Sequence, residues 1–192
     1  VPYGLKLILE SRPQGALYRY DPQMKKVETL IDGTYFGNGV VLSKAEDYLL
    51  LTETSRYRIL KYWLKGEKAG ETEIWMDNLP GFPNGISRRA DGTFWLGFTT
   101  SRNKALDNMH NSKFMKQLFF VLPAFMKPKV AEFGLVVNIN EMGEISEALF
   151  DPAGEYLPEA VAVSEFGGKL YIGGDVLPYI GVYTLETFAH SE

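Results

Sequence analysis

The stretch Phe36-Gly-Asn-Gly-Val-Val-Leu-Ser43 decides the fold, because its layout returns as Phe82-Pro-Asn-Gly-Ile-Ser-Arg88. Each copy leads into a short polar turn, KAED in the first and RADG in the second, and then into an apolar run. Asn38 and Asn84 occupy the same phase of the two copies, and the spacing from position 38 to position 84 is 46. A recurrence of this length, built from short β-rich runs, is typical of the four-stranded blades of a β-propeller, which take about 40 to 50 residues each.

A third, weaker copy lies near the end of the chain, where a hairpin closes on Lys169-Leu-Tyr-Ile-Gly173. The spacing from Trp95 to Tyr171 is 76 positions, about 30 more than one blade period. The segment from residue 103 to residue 130 has about that length and shows no strand pattern. We interpret it as an insertion within a blade, because its removal restores the period.

Short aromatic and β-branched runs alternate with turn residues. This pattern predicts four successive groups of strands along the chain, with two, four, four and three strands. The predicted fold class is therefore all-β, of propeller type, with about three to four blades in this chain and a short helical insertion. The expected organisation is one partial propeller domain over residues 1–192. Its predicted parts are the end of a blade (1–31), a blade (32–78), a blade with a lid insertion at about 103–130 (79–154) and an incomplete last blade (155–192). A β-sandwich with a similar number of strands is the alternative.

A closed ring of blades needs more residues than this chain contains. At this period six blades take roughly 280 residues, so 192 residues supply too few of them by two or more. Three blades and a fraction would leave apolar blade faces and strand edges exposed. We therefore expect preceding N-terminal blades, or another chain, to complete the ring, and we interpret Val1 as an internal start.

The composition narrows the class of protein. The 20 basic and 24 acidic residues give a net charge of −4, which disfavours an electrostatic grip on nucleic acid. The chain has no cysteine, so disulfides, thiolate chemistry and cysteine-ligated zinc are excluded. The longest apolar run, Leu118–Met126, is interrupted by Pro123 and is far shorter than the roughly 20 residues of a membrane-spanning helix. The localisation stays open.

Three stretches carry a family resemblance: Lys61-Tyr-Trp-Leu-Lys-Gly66, Leu79-Pro-Gly-Phe-Pro-Asn-Gly-Ile-Ser87 and Ala90-Asp-Gly-Thr-Phe-Trp-Leu-Gly97. The sequence resembles the strictosidine-synthase-like family, including the adipocyte plasma membrane-associated proteins. It is more distantly similar to the paraoxonases and to gluconolactonase-like propellers. The resemblance runs over nearly the whole chain and implies a six-bladed propeller with a pocket at one mouth of its central channel. By that measure the chain resembles the C-terminal half or more of such a protein.

Asn38 and Asn84 are the candidate metal ligands. Asn-Gly is a strong hairpin signal, but the turns KAED and RADG already account for the two hairpins. We therefore expect both asparagines to begin innermost strands and to face the channel. The resemblance to calcium-dependent propellers implies that residues at these places are oxygen ligands of Ca²⁺, which accepts six to eight of them.

The chain departs from the related lactonases at this place. They resemble one another in having aspartate at the position of Asn84, and paraoxonase-type sequences have a second asparagine at that of Gly85. An amide brings no negative charge to a cation and does not act as a general base. The family's remaining acidic ligand is expected in an earlier blade.

A glutamate in the last blade is the catalytic residue that the resemblance to strictosidine synthase itself implies. Counting back from Tyr171 without gaps places that position on Val161, which does not exchange protons. Glu159 lies two residues earlier and fills the role only if the alignment shifts by two. Strictosidine synthase activity is therefore disfavoured, and Glu159 stays a candidate for acid–base catalysis.

The insertion carries a second group of candidates. Phe114, Leu118 and Val121 follow helical spacing, which predicts a short amphipathic helix that ends at Pro123. Lysines flank it at positions 113, 116, 127 and 129. Such a helix is either a lid packed on the channel mouth or a peripheral membrane contact through residues 113–129. His110 precedes it and is a candidate proton carrier.

Three further features complete the predictions. Residues Pro2–Glu10 form a predicted short helix. Glu53 is a candidate channel-facing residue, expected to pair with Arg56 near the end of a strand. Asp175 follows the last hairpin and is a candidate channel-facing or substrate-contacting residue at the mouth.

Taken with the resemblance, these residues favour a calcium-dependent ester or lactone hydrolase, of arylesterase or lactonase type, acting on a small apolar substrate. The alternative is a non-catalytic propeller that serves as a binding or membrane-associated module, which the loss of both family acids, at Asn84 and at Val161, favours. A condensing enzyme that uses Glu159 is the weaker third reading.

Overall fold

The computed structural model of the protein describes residues 3–110, 112–123 and 131–185. The helices are α1 (Tyr3–Glu10), α2 (Lys104–His110) and α3 (Lys113–Val121), and a 3₁₀ turn covers Thr54–Arg56. The strands are β1 (Gly15–Asp21), β2 (Lys26–Thr34), β3 (Gly37–Leu42), β4 (Tyr48–Glu53), β5 (Arg58–Trp63), β6 (Thr72–Met76), β7 (Gly81–Arg88), β8 (Phe94–Ser101), β9 (Gly134–Ile139), β10 (Ile145–Asp151), β11 (Ala162–Phe166), β12 (Lys169–Gly173) and β13 (Gly181–Thr184).

The strands form antiparallel sheets in chain order. They are a pair (β1–β2), two sheets of four strands (β3 to β6 and β7 to β10) and a sheet of three (β11 to β13). Consecutive strands pair within every sheet because each is joined to the next by a short turn or loop, apart from the insertion between β8 and β9. This is the layout of propeller blades, and the predicted all-β propeller fold is confirmed.

The first strands of the last three sheets lie side by side. The Gly85 amide of β7 donates to the Val161 carbonyl just before β11 (2.8 Å). The Thr52 hydroxyl of β4 donates to the Asn84 carbonyl of β7 (2.8 Å). We call β3, β7 and β11 the inner strands, and the end of the molecule at which they begin the mouth face.

Glycine permits this close approach of inner strands. A Cβ atom on Gly39 would lie 2.5 Å from the Asn84 carbonyl oxygen and 2.8 Å from the Ile86 nitrogen, both backbone atoms of the neighbouring strand. A Cβ on Gly85 would clash in the same way with the carbonyl oxygen of Val161. The glycine after each asparagine therefore lies in a strand, where it leaves room for the backbone of the neighbouring sheet.

The core fills the space between sheets. Strands β4 and β9 are buried at all six positions, because neighbouring sheets cover both of their faces. The main cluster is aromatic and aliphatic, with Phe94, Leu96 and Phe98 of β8 fully buried at its centre. The first and last sheets expose large apolar side chains such as Tyr18 and Phe166. Both ends of this arc of blades therefore present apolar surface.

Lys61, within the first resemblance motif, packs among aromatic rings. Its Nζ lies 4.3 Å from the ring centre of Tyr48, 4.9 Å from that of Trp63 and 5.7 Å from that of Trp75. Burial of the ammonium group lowers the pKa of Lys61. Trp63 of this motif thus joins Tyr48 and Trp75 in an aromatic surround for a buried cation.

All three helices lie on the mouth face. Helices α2 and α3 connect the end of β8 to the start of β9, and Ser101 at the end of β8 pairs with Gly81 at the start of β7. Leu9 of α1 is buried against Met109 of α2 and Phe119 of α3. The helices predicted near Pro2–Glu10 and before Pro123 are present as α1 and α3, and α2 was not predicted.

Candidate functional site

Asn38 of β3 and Asn84 of β7 are brought together through Thr54. The Asn38 Nδ2 donates to the Thr54 Oγ1 (3.4 Å), and the same hydroxyl donates to the Pro83 carbonyl oxygen (2.7 Å). Thr54 therefore connects the start of one inner strand to the residue before Asn84 on the next. The two asparagines differ in exposure, because Asn38 is exposed and Asn84 is buried.

Hydrogen bonds hold both the side chain and the backbone of Asn84. Its Nδ2 donates to the Thr99 Oγ1 of β8 (2.8 Å), and its backbone carbonyl accepts from the Thr52 hydroxyl (2.8 Å). The NH₂ group of Asn84 is directed to Thr99. The amide oxygen is therefore the side-chain atom that can bind a cation. The threonines that position Asn38 and Asn84 were not among the predicted site residues.

Val161 occupies the position in the last sheet that corresponds to Asn84. Gly39 closely approaches the carbonyl of Asn84, and Gly85 closely approaches the carbonyl of Val161. The third inner strand brings an apolar side chain where the first two bring amides.

Glu159 is buried on the mouth face, two residues ahead of that position. Its Oε1 accepts a hydrogen bond from the Val176 amide (2.7 Å). Gly174 packs directly on this carboxylate, since a Cβ there would lie 2.5 Å from Oε1 and 2.8 Å from Cγ. Glu159 thus anchors the loop between β12 and β13.

Glu53 does not present its carboxylate to an open channel. The residue is 1% exposed, its Oε1 accepts from the Tyr35 amide (2.7 Å), and its Oε2 forms an ion pair with the Arg58 guanidinium. The predicted pairing with Arg56 is wrong, because the guanidinium of Arg56 lies over the Tyr35 ring at 4.3 Å. The 3₁₀ turn at Thr54–Arg56 reverses the chain and places Glu53 opposite Arg58 in the β4–β5 register.

The remaining candidates also map to the mouth face. Asp175 is exposed in the loop that follows β12. His110 is the last residue of α2, and its side chain lies outside the described part of the protein. Residues 124–130, which carry the predicted lysines 127 and 129, also lie outside the described residues.

Asp151 braces this face, although the sequence did not single it out as a site residue. Its Oδ2 accepts from the amides of Tyr156 (2.8 Å) and Leu157 (2.9 Å), which lead to Glu159. These backbone hydrogen bonds lower the pKa of the Asp151 carboxyl group. The DPAG turn motif that begins at this residue is the signal that indicates such a bracing role.

Two described side chains on neighbouring inner strands carry oxygen atoms of the kind that calcium binds. Asn38 and Asn84 bring neutral amide oxygens, which suit a hard cation. Among the residues that the structure describes, no group of three or more His, Cys, Asp or Glu side chains is placed to hold a metal ion. A calcium ion here would therefore need further oxygen ligands beyond these two amides.

Two cavities border the first sheet. One of about 360 Å³ lies between β2 and strands β5 and β6, and it is lined in part by Glu53, Arg58 and Glu73. The other, of about 210 Å³, lies on the mouth face between α1, β1 and the start of β3, and Arg12 and Phe36 contribute to its wall. The second cavity is the one near the Asn38 strand.

The fold and the arrangement of the inner strands are those of a propeller, and the chain is similar to known proteins of this kind. Residues 5–67 match the family model described as strictosidine synthase. A strictosidine synthase-like protein of Arabidopsis thaliana is 35% identical over 156 residues, which is 79% of this chain and 38% of that protein. An adipocyte plasma membrane-associated protein of Bos taurus is 33% identical over 184 residues, which is 92% of this chain and 44% of that protein.

The predicted resemblance is thereby confirmed: the chain is a relative of the strictosidine-synthase-like and adipocyte plasma membrane-associated proteins. It spans less than half the length of the two relatives just described.

Solved structures agree on the fold. Regucalcin from Agrobacterium tumefaciens, described as a calcium-binding protein, superposes with a TM-score of 0.55 at 14% identity and covers 84% of this chain and 44% of that one. A gluconolactonase from Xanthomonas campestris superposes with a TM-score of 0.54 at 15% identity, over 83% of this chain and 41% of that one. Within the described residues, no helix combines the length and the apolar character needed to cross a membrane.

Proposed function

We propose that this chain forms part of a strictosidine-synthase-like propeller that hydrolyses an ester or lactone of a small apolar substrate with the help of Ca²⁺. The observation that carries the proposal is the pairing of Asn38 and Asn84 at equivalent positions of neighbouring inner strands, linked by the Thr54 hydroxyl. The names of two structural neighbours, a calcium-binding protein and a gluconolactonase, support the same chemistry.

In this proposal the chain supplies two ligands and a candidate proton carrier. The amide oxygens of Asn38 and Asn84 hold the cation at the mouth. Bound calcium supplies a Lewis acid that polarises a carbonyl group and stabilises negative charge as water adds. Glu159 and His110 are the candidates in this chain for moving the proton from the attacking water to the leaving alcohol. A further carboxylate ligand is expected from blades outside this chain.

A specific observation favours a second candidate function, a non-catalytic binding or membrane-associated module. The described mouth residues bring together two amides, Asn38 and Asn84, and the apolar Val161 where the inner strands begin. A carboxylate is the usual source of both charge and proton transfer in such a site. The Bos taurus relative is named as an adipocyte plasma membrane-associated protein, which supports this alternative.

Turnover of ester and lactone substrates by the full-length protein distinguishes the two functions. We expect hydrolysis that a chelator abolishes and added Ca²⁺ restores. We expect Asn84→Ala to lower kcat/KM at least tenfold, an effect on the order of 1.4 kcal/mol, and Asn84→Asp to retain calcium-dependent turnover because it keeps an oxygen ligand. Asn138→Ala is the matched control, since this buried asparagine bonds Thr93 at the opposite end of the molecule. Absence of turnover on both substrate classes would support the non-catalytic module.

A further inference from the structure

We propose that the cavity of about 210 Å³ on the mouth face binds the carboxylate of a small acid with a short apolar chain. Hydrolysis of a small ester or lactone releases such an acid, so the role of the cavity as a product site rests on the proposed function. Binding of the acid does not rest on it, because Asn38 and Asn84 are not among the residues that line the cavity. An unpaired guanidinium, a buried hydroxyl and apolar walls support the proposal.

The cavity lies beside the strand that carries Asn38. Helix α1, the start of β1, the end of β2 and the start of β3 surround it. Phe36 and Gly37, the two residues that precede Asn38, contribute to its wall. A group bound in this cavity therefore lies against the backbone that leads into the candidate cation ligand.

Thr34, the last residue of β2, brings a hydroxyl group to the cavity. The residue is 2% exposed, and within the described part of the chain its Oγ1 has no hydrogen-bond partner. Two glycines of the wall leave room beside this oxygen: a Cβ on Gly15 would clash with it, and a Cβ on Gly37 would lie 3.4 Å from it. Because a buried hydroxyl without a partner is unfavourable, a bound carboxylate oxygen that accepts its proton would stabilise this site.

Arg12 is the charged residue of the cavity wall. None of the described residues that line the cavity is acidic, and Arg12 forms no ion pair with the described residues. Lys116 of α3 adds positive charge nearby, since burial and the charge of Arg12 together lower the pKa of its ammonium group. The neighbouring carboxylate of Glu10 lies 4.0 Å from the ammonium group of Lys6. The three cations around this end of α1 therefore exceed its one carboxylate.

The larger cavity, of about 360 Å³, has the opposite character. Its wall includes the carboxylates of Asp32, Glu53 and Glu73, and its guanidinium, that of Arg58, is already paired with Glu53. An anion in that cavity would meet like charges. Of the two cavities, the one on the mouth face is therefore the one that suits a carboxylate.

The wall of the mouth cavity also specifies the rest of the ligand. A guanidinium can bind a carboxylate through two parallel N–H···O bonds, and Leu7, Ala16 and Phe36 offer apolar surface to the chain of the acid. The volume of about 210 Å³ is below the roughly 300 to 1,000 Å³ of pockets for drug-sized ligands. We therefore expect a short aliphatic acid.

The proposed reaction releases an acid of this kind. When an ester is hydrolysed, the oxygen of water bonds to the acyl carbon, and the bond from that carbon to the alcohol oxygen breaks. One proton of the water goes to the leaving alcohol and the other to solvent, which leaves a carboxylate. The cavity next to Asn38 is placed to hold this acyl half of the product.

Calorimetric titration of the full-length protein with sodium butyrate, after removal of calcium by chelation and dialysis, tests the proposal. We expect saturable binding of one butyrate per chain and no comparable binding of butyramide, which has a similar shape without the charge. Arg12→Met is expected to weaken butyrate binding at least tenfold, and Thr34→Val severalfold. Arg19→Met is the matched control, because Arg19 also precedes or lies in β1 but pairs with Glu28 at the surface, and it is expected to bind butyrate like the parent protein.

A turnover measurement keeps this inference distinct from the hydrolase proposal. Butyrate is expected to inhibit ester hydrolysis, and Arg12→Met to raise the inhibition constant by the same factor as the Kd. Butyrate binding without any turnover would support the carboxylate site and contradict its role as a product site. The proposal is overturned if butyrate does not bind, or if butyramide or inorganic phosphate binds as tightly. It is also overturned if Arg12→Met, with an unchanged unfolding midpoint, binds butyrate like the parent protein.

Discussion

Gly39→Ala is expected to lower the free energy of unfolding by about 3 kcal/mol, the upper part of the usual range for overpacking a well-packed site. The added methyl group would meet the Asn84 carbonyl oxygen at 2.5 Å and the Ile86 nitrogen at 2.8 Å. Both are backbone atoms of β7, so no side-chain rotation relieves the contact and the inner strands must move apart. Denaturant unfolding of the two proteins measures the difference.

Gly173→Ala is the matched control for this prediction. A Cβ on Gly173 would meet its nearest atoms at 3.7 and 4.0 Å, which is ordinary van der Waals contact. We expect a change within about 0.5 kcal/mol, because reduced chain entropy in the unfolded state offsets small packing effects. Equal unfolding energies for Gly39→Ala and Gly173→Ala would show that the inner strands do not approach as closely as described.

Arg58→Met is expected to lower the free energy of unfolding by about 3 kcal/mol, the loss typical when one partner of a buried ion pair is removed. Glu53 is 1% exposed, and Arg58 is the cation that pairs with its carboxylate. Without Arg58 the charge keeps its hydrogen bond from the Tyr35 amide but has lost its counter-ion. Since Tyr35 leads into β3, we expect the damage to reach the inner strand that carries Asn38.

A double-variant comparison isolates the buried charge as the cause. Glu53→Gln/Arg58→Met removes both charges and keeps an oxygen to accept the Tyr35 amide, so it is expected to be more stable than Arg58→Met alone. Arg19→Met is the exposed control, because the Arg19–Glu28 pair (2.6 Å) lies at the surface, where such pairs contribute at most about 1 kcal/mol. A double variant less stable than Arg58→Met would contradict this explanation.

Most of the fold could be predicted from the repeat along the sequence. Two copies of a hairpin 46 positions apart were enough to predict strand grouping, because each blade forms from consecutive short strands. Helix α2 escaped prediction because its buried pattern is short: Leu106 and Met109 are three positions apart, with few further apolar residues to establish a period.

The site was predicted in part. The shared phase of Asn38 and Asn84 was visible in the sequence, and the structure places them at the start of neighbouring inner strands. The threonines that hold them could not be predicted from the sequence. Thr54 connects Asn38 to the Pro83 carbonyl across a sheet boundary, and Thr99 accepts from Asn84 on the next strand. The partner of Glu53 was mistaken for a similar reason, since the length of the 3₁₀ turn decides whether residue 56 or residue 58 returns to it.

Calcium titration of the full-length protein by calorimetry tests the central claim most directly, that Asn38 and Asn84 provide two ligands of a cation site at the mouth. The account predicts saturable binding of one Ca²⁺ per chain and at least tenfold weaker binding in Asn38→Ala and Asn84→Ala. It also predicts retained binding in Asn138→Ala, whose side chain lies at the opposite end of the molecule. Absence of calcium binding, or equal affinity in the parent protein and both mouth variants, would contradict it.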